Sequence, residues 1–286
     1  MPDTPDLPVV RTVAALRETV SGWKRRGFTI GFVPTMGALH EGHLALVREA
    51  RERSDRVVAS VFVNPAQFAA HEDLDAYPRQ EAGDAELLAG AGCALLYAPA
   101  VEEMYPADAT TTISVGAPAE GLEGACRPQM FGGVALVVAK LLNQVQPQVA
   151  VFGEKDYQQL IVVRRLVRDL DLPVEIVGSP TVRDGHGLAL SSRNAYLTGE
   201  QLEVARRLNG VLAEAGARAS AGEPVAAIET AARAALLGAG FGHVDYVAVR
   251  RAADLGEFPG GTVDGPARVL AAAWLGRTRL IDNMAA

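Results

Sequence analysis

The spacing of apolar positions changes period along the chain. Val13, Leu16, Val20 and Trp23 recur three or four apart, which predicts a helix over residues 13–24 with one buried face. Gly27 stops it, and residues 28–33 (Phe-Thr-Ile-Gly-Phe-Val) read as a short apolar strand closed by Pro34. The helical period returns over residues 41–54, with Leu44, Val47 and Ala50 inward and Arg48, Glu49 and Arg51 outward. Residues 57–63 are then a near-continuous β-branched run, the pattern of a strand covered on both faces. Strand, turn, helix and strand make a βαβ unit with a parallel pair.

The alternation continues to residue 177, with helices expected near 79–90, 134–145 and 158–170 and strands at 94–97, 149–152 and 174–177. This rhythm predicts an α/β domain over residues 1–187, built on a doubly wound parallel sheet. Sheets of this kind take ligands at the carboxyl ends of their strands. The texture changes near residue 190. Two alanine-rich helices are expected within residues 200–238, on either side of the Ser220 to Pro224 turn. Strands follow at 244–249, 268–274 and 278–281, with Gly276 in the last turn. Residues 188–286 therefore read as a smaller α+β domain closing over the site.

Composition narrows the function. The 286 residues exceed the usual size of a single core, in keeping with one larger and one smaller domain. A formal charge of −7 argues against a nucleic-acid surface, which carries a basic excess. Cys93 and Cys126 are too few for a disulfide framework and point to a reducing, cytoplasmic setting. The opening MPDTPDLPVV lacks the basic and apolar regions of a signal peptide. No apolar run reaches the roughly 18 residues of a membrane span.

The chemistry concentrates at residues 34–44, PTMGALHEGHL, which hold two of the five histidines between a strand and a helix. Gly37 and Gly42 let the backbone approach a ligand, and exposed N–H groups at a helix start suit phosphate. His40 and His43 can add donors to the oxygens that gain charge during nucleotidyl transfer. Two other readings compete: a zinc site built on histidines three apart, and two polar residues in a surface turn. HEGH is not the HExxH pattern, and no third ligand is marked, so no metal ligands are assigned.

The wider chain decides among these. PTMGALHEGH resembles the nucleotide-binding signature of class I aminoacyl-tRNA synthetases and related nucleotidylyltransferases. PTMGALHEGHL, VFVNPAQF (61–68), DAYPR (75–79), FGEKDYQQL (152–160), LALSSRNAYL (188–197) and TRLIDN (278–283) together resemble the pantothenate synthetase family, in its order. The resemblance implies a Rossmann-type domain with a smaller C-terminal domain, usually as a homodimer. It implies ligation of pantoate to β-alanine through pantoyl adenylate, with ATP and Mg²⁺, releasing pyrophosphate and AMP. Its partners are these small molecules, with neither nucleic acid nor membrane.

Carried over residue by residue, the resemblance places Pro34, Met36, Gly37, His40, Gly42 and His43 around ATP, with His43, His40, Lys155 and Arg193 catalytic. It adds Gly153, Glu154, Lys155 and Asp156, where Lys155 balances phosphate charge and Asp156 binds ribose or magnesium. Val182, Leu190, Ser191, Ser192 and Arg193 complete the nucleotide set, and Arg193 follows the departing pyrophosphate. Gln67 and Gln159 match pantoate ligands, with Asn64 beside them. Gln67, Arg127 and Met130 line the amine side.

Two positions depart from the family pattern. Met130, in Arg127-Pro-Gln-Met-Phe131, stands where histidine is usual, and His186 stands where an acid is usual. One exchange removes a histidine and the other restores one, so mutual compensation is one expectation. The other is a specialised paralogue that joins pantoate, or a similar hydroxy acid, to a different amine. A third reading, an ATP sensor without catalysis, is disfavoured because His40, His43, Lys155 and Arg193 all remain.

Overall fold

The computed structural model describes residues 7–68, 74 and 77–286. The N-terminal residues 1–6 and Asp75 and Ala76 of the DAYPR block lie outside the described residues. In chain order the elements begin β1 (Val9–Val10), α1 (Val13–Arg25), β2 (Ile30–Thr35), α2 (Glu41–Arg53) and β3 (Arg56–Val61). They continue α3 (Glu81–Gly90), β4 (Leu95–Tyr97), α4 (Val101–Met104), α5 (Leu122–Cys126), α6 (Met130–Val145) and β5 (Val149–Gly153). Then come α7 (Tyr157–Asp169), β6 (Glu175–Ser179), α8 (Gly199–Ala205), α9 (Arg207–Ser220) and α10 (Val225–Gly238). The chain ends in β7 (His243–Arg251), β8 (Ala267–Leu275) and β9 (Thr278–Ala285).

The first six strands form one parallel sheet in the order β1-β4-β3-β2-β5-β6. The chain leaves β2 toward β3 and β4, then returns to the other side of β2 with β5 and β6. The strand order reverses beside β2, and a crevice opens at that switch point. Alternate residues feed opposite layers. Ile30 and Phe32 of β2 join Leu16, Val20 and the apolar faces of α6 and α7 in one core. Val33, Val57 and Ala59 face the other way, onto Val47 and Ala50 of α2 and Leu88 of α3. The predicted α/β sheet with helices on both sides is the observed fold.

The smaller unit is an antiparallel sheet, β7-β8-β9, packed on α9 and α10. Its core runs from Leu188 to Leu280. The alanine-rich stretch forms three helices rather than two. A Thr198–Gln201 capping box starts α8, which ends at Arg206 before α9 begins.

The two units are joined by charge rather than by apolar surface alone. Arg279 of β9 makes paired bonds of 2.7 Å to Glu123 of α5, and its Nε reaches Asp245 of β7 at 2.7 Å. Arg183 grips Asp282 at 2.6 and 2.9 Å. Asn283 donates to the carbonyls of Glu154 and Lys155 at 2.9 and 2.8 Å. The TRLIDN block is thus a docking strip that seats the C-terminal sheet against the mouth of the parallel sheet.

Two sequence expectations shift. Strand β2 runs through Pro34 to Thr35. Proline is tolerated because β5 pairs only with Gly31 and Phe32, so no strand on that side needs an N–H at Pro34. Helix α6 starts at Met130, four residues before the expected Val134, despite Gly132 and Gly133. Gly133 is required by close packing, since a Cβ there would lie 2.2 Å from the Ala66 carbonyl oxygen. Gly133→Ala should push α6 off the 64–67 loop and cost about 1–3 kcal/mol, as overpacking does. Urea unfolding checks this, and an unchanged midpoint would show that the loop yields freely.

Candidate active site

The carboxyl ends of β2, β3, β5 and β6 converge on a cavity of about 240 Å³. Pro34, Met36, His40, Gly42 and His43 come from β2 and the start of α2, and Asn64 and Gln67 from the loop after β3. Gly153, Lys155, Asp156 and Gln159 arrive from β5 and the start of α7. Val182, Leu190, Ser191, Ser192 and Arg193 arrive from the segment after β6, and Arg127 and Met130 close the wall at α6. A second cavity of about 780 Å³ opens toward the C-terminal sheet and shares Arg127, Met130, Lys155, Asp156, Gln159, Ser191 and Arg193. Two expected residues, Gly37 and Glu154, line neither cavity.

Their places explain why. Glu154 pairs with Arg268 of β8 at 2.7 Å, so it belongs to the docking of the two units. Gly37 sits in the turn behind the wall with φ +85°, and its N–H donates to Thr35 Oγ at 3.2 Å. A Cβ at Gly37 would meet Asp84 Oδ2 at 2.9 Å.

The histidine pair caps its own helix. His40 is the N-cap of α2, and its Nδ1 accepts the Gly42 N–H at 3.1 Å. Gly42 leaves room for that ring, because a Cβ there would approach His40 at 2.8 Å. His43 Nδ1 accepts the His40 N–H at 3.3 Å, and the ring centroids stand 4.2 Å apart. A neutral imidazole that accepts on Nδ1 carries its proton on Nε2. Both rings therefore keep an Nε2–H donor.

Burial keeps them neutral. It pushes His43 down to about 3, helped by the neighbouring His40 and Lys155 and opposed by Asp156. His40 is lowered by burial first and Lys155 second. The unfolded chain thus takes up a proton near pH 6.5 that the folded His43 refuses. Its contribution to stability is full above about pH 6.5 and declines as the pH falls toward 3. The slope expected in that window is about 1.4 kcal/mol per pH unit for the one group. Urea titrations between pH 7 and 4 on the parent and His43→Gln test this, and equal slopes would rule it out.

The acid-side amides are held differently from one another. Asn64 uses its Nδ2 on Gln67 Oε1 (2.9 Å) and the Gly133 carbonyl (3.1 Å). Its Oδ1 accepts from Ala66 N at 3.2 Å and from the Tyr105 hydroxyl at 2.7 Å. Burial pushes that phenol up to about 12, so it remains a donor. Asn64, read from the sequence as an acid ligand, has all its polar capacity spent inside the protein. It orients Gln67, whose Nε2 is left against Met36 Sδ at 3.1 Å. Gln159 lines both cavities, and its amide makes no hydrogen bond among the described residues.

On the amine side, Arg127 Nη1 lies 2.8 Å from Met130 Sδ and its Nη2 lies 3.5 Å from the Gln67 carbonyl. His186 is exposed and lines neither cavity; its N–H donates to Asp184 within a tight turn. It does not refill the space beside Met130. Ser191 Oγ accepts the Arg193 N–H at 3.3 Å, so one of the two serines caps the turn that presents Arg193.

The sequence reading missed Asp84. This carboxylate on α3 is fully buried and accepts the N–H groups of Ala38 (3.0 Å) and Leu39 (2.8 Å). The available signal was an acid four residues before Leu88, on the buried stripe of the helix.

The family model for pantoate-beta-alanine ligase matches residues 8–285. The pantothenate synthetase of Caulobacter vibrioides is 59% identical over 278 residues, covering 97% of this chain and 98% of that protein. That of Mesorhizobium japonicum is 58% identical over 276 residues, 96% of each. Among solved structures, the pantothenate synthetase of Thermus thermophilus superposes with a TM-score of 0.90 at 48% identity, covering 97% of this chain and 99% of that one. Pantoate-beta-alanine ligase from Francisella tularensis, complexed with beta-gamma ATP and beta-alanine, gives 0.81 at 31% identity over 97% of each chain. Matched along nearly its whole length in sequence and in fold, the chain belongs to the pantoate-beta-alanine ligase family.

Proposed function

We propose that this chain condenses pantoate with β-alanine in two steps, through pantoyl adenylate. The observation that carries the reading is the shared cavity: two neutral imidazoles with Nε2–H donors stand in one chamber with Lys155, Arg193 and two glutamine amides. In the first step the pantoate carboxylate oxygen attacks the α-phosphorus of ATP and the bond to pyrophosphate breaks. Charge gathers on the phosphoryl oxygens, where fixed donors stabilise it most. His40, His43 and Lys155 are assigned that role, and Arg193 the departing pyrophosphate.

A cavity of 240 Å³ is below the range of about 300–1,000 Å³ usual for ligand sites. The nucleotide is therefore assigned across both cavities, over the groups they share. Gln67 and Gln159 are assigned to pantoate, since an amide both donates to carboxylate and accepts from hydroxyl. In the second step the β-alanine nitrogen attacks the adenylate carbonyl carbon, the carbon–oxygen bond breaks, and AMP leaves. Arg127 and Met130 form the wall on that side.

Among the described residues no group of three or more histidine, cysteine or acidic side chains could cage a metal. Magnesium fits this chain as a companion of ATP, which needs one or two carboxylates. Asp156, on the wall common to both cavities, would hold it, and it would neutralise phosphate charge there. The reading includes a cytoplasmic homodimer; Cys93 and Cys126 are unpaired, as a reducing compartment leaves them. It places the domain division at 187/188, where the second core begins at Leu188.

The test is pantoate-dependent exchange of labelled pyrophosphate into ATP with no amine present. Exchange is expected. If it appears only after β-alanine is added, the adenylate route is wrong, and exchange with another acid in place of pantoate would reassign the substrate.

A further inference from the structure

Asp84 lies on a helix that contributes nothing to either cavity wall, yet it governs the loop that does. Both of its oxygens are taken by backbone N–H groups of the Met36–His40 turn, and none of its surface meets solvent. That turn is unusual in its backbone. Gly37 and Ala38 have φ of +85° and +53°, the second in a region that costs a non-glycine residue energy. The carboxylate compensates this strain by accepting from the strained residue and the one after it.

The next residue in line is His40, whose N–H fixes Nδ1 of His43. A shift of the Ala38–Leu39 peptides moves that N–H and releases the ring. We propose that Asp84 is a positioning residue for nucleotidyl transfer: its grip on Ala38 and Leu39 holds the His40 amide on His43 and keeps the His43 proton on Nε2. The kinetic arm of this inference rests on the ligase reading; the structural arm does not.

Asp84→Asn keeps the size of the side chain but offers one accepting oxygen and sets an NH₂ against a backbone N–H. Pyrophosphate exchange should fall about tenfold in kcat, the lower end of losing one charge-assisted bond, with a smaller change in the KM for ATP. The amides of Ala38 and Leu39 should lose protection from hydrogen exchange, and the imidazole ¹⁵N shifts of His43 should leave the single Nε2–H pattern. Ala38→Gly should raise exchange on the Asp84→Asn background more than on the parent, because glycine tolerates the left-handed turn without the clamp. A side chain that served stability alone would show no such rescue.

Unchanged protection and tautomer in Asp84→Asn, or no preferential rescue, would overturn the proposal. If that variant fails to fold, the parent decides: its Ala38 and Leu39 amides must be the slowest to exchange between residues 36 and 40, and His43 must show the Nε2–H tautomer. A parent without pyrophosphate exchange would sink the ligase reading and leave these two measurements standing.

Discussion

His43→Ala is expected to lower pantoate-dependent pyrophosphate exchange by about 10²–10³-fold, the range seen when one fixed donor to a developing oxyanion is removed. The dissociation constant for ATP should change far less, since the benefit belongs to the transition state. The structure gives the size of this effect a cause. His43 is half-buried and neutral, its Nδ1 is already occupied by the His40 N–H, and its Nε2–H is therefore fixed before substrate arrives. A donor fixed in advance needs no reorganisation at the moment of reaction. His43→Gln supplies a control, because an amide can keep a donor while losing the ring. Equal losses in binding and rate would make His43 a ground-state ligand. Thermal melting must accompany the kinetics, because truncation also removes the partner of the His40 amide.

Much of this was legible in the sequence, for reasons that belong to particular residues. The β2–α2 junction announces itself because the apolar period changes there and because two of the five histidines fall there, three residues apart and beside two glycines. The doubly wound sheet is legible because strands covered on both faces must be continuous apolar runs. The start of α6 was misplaced because Gly132 and Gly133 look like helix breakers; only the carbonyl of Ala66, from a loop 67 residues earlier, explains Gly133. Asp84 stayed hidden for the same reason, since its partners lie 46 and 45 residues away. Glu154 was grouped with the nucleotide site because it sits inside the GEKD motif, yet its partner is Arg268 in the other sheet. A motif marks which residues move together in a family; it does not separate the groups that touch a ligand from the groups that hold them.

That distinction bears on Met130. Histidine at this position would stand against the Arg127 guanidinium, where Met130 Sδ now lies at 2.8 Å. Burial and an adjacent cation both disfavour a second positive charge, so the ring would be neutral, accepting from Arg127 on one nitrogen and donating from the other. The thioether accepts weakly and donates nothing. A hydrogen bond to the carboxylate of β-alanine is worth about 1.5–3 kcal/mol, or roughly 10- to 150-fold in amine efficiency. Met130→His should therefore raise kcat/KM for β-alanine by that factor, while pyrophosphate exchange without amine stays near the parent rate. The structure also revises the expectation that His186 compensates. It is exposed in the Asp184 turn, outside both cavities, so His186→Asp should leave the amine step unchanged. The two effects should then add in the double variant, as they do for sites that share no partners. Departure from additivity would restore the coupling. If the parent already uses β-alanine well and Met130→His changes nothing, the amine side is unaltered by the missing histidine, and the specialised-paralogue reading falls.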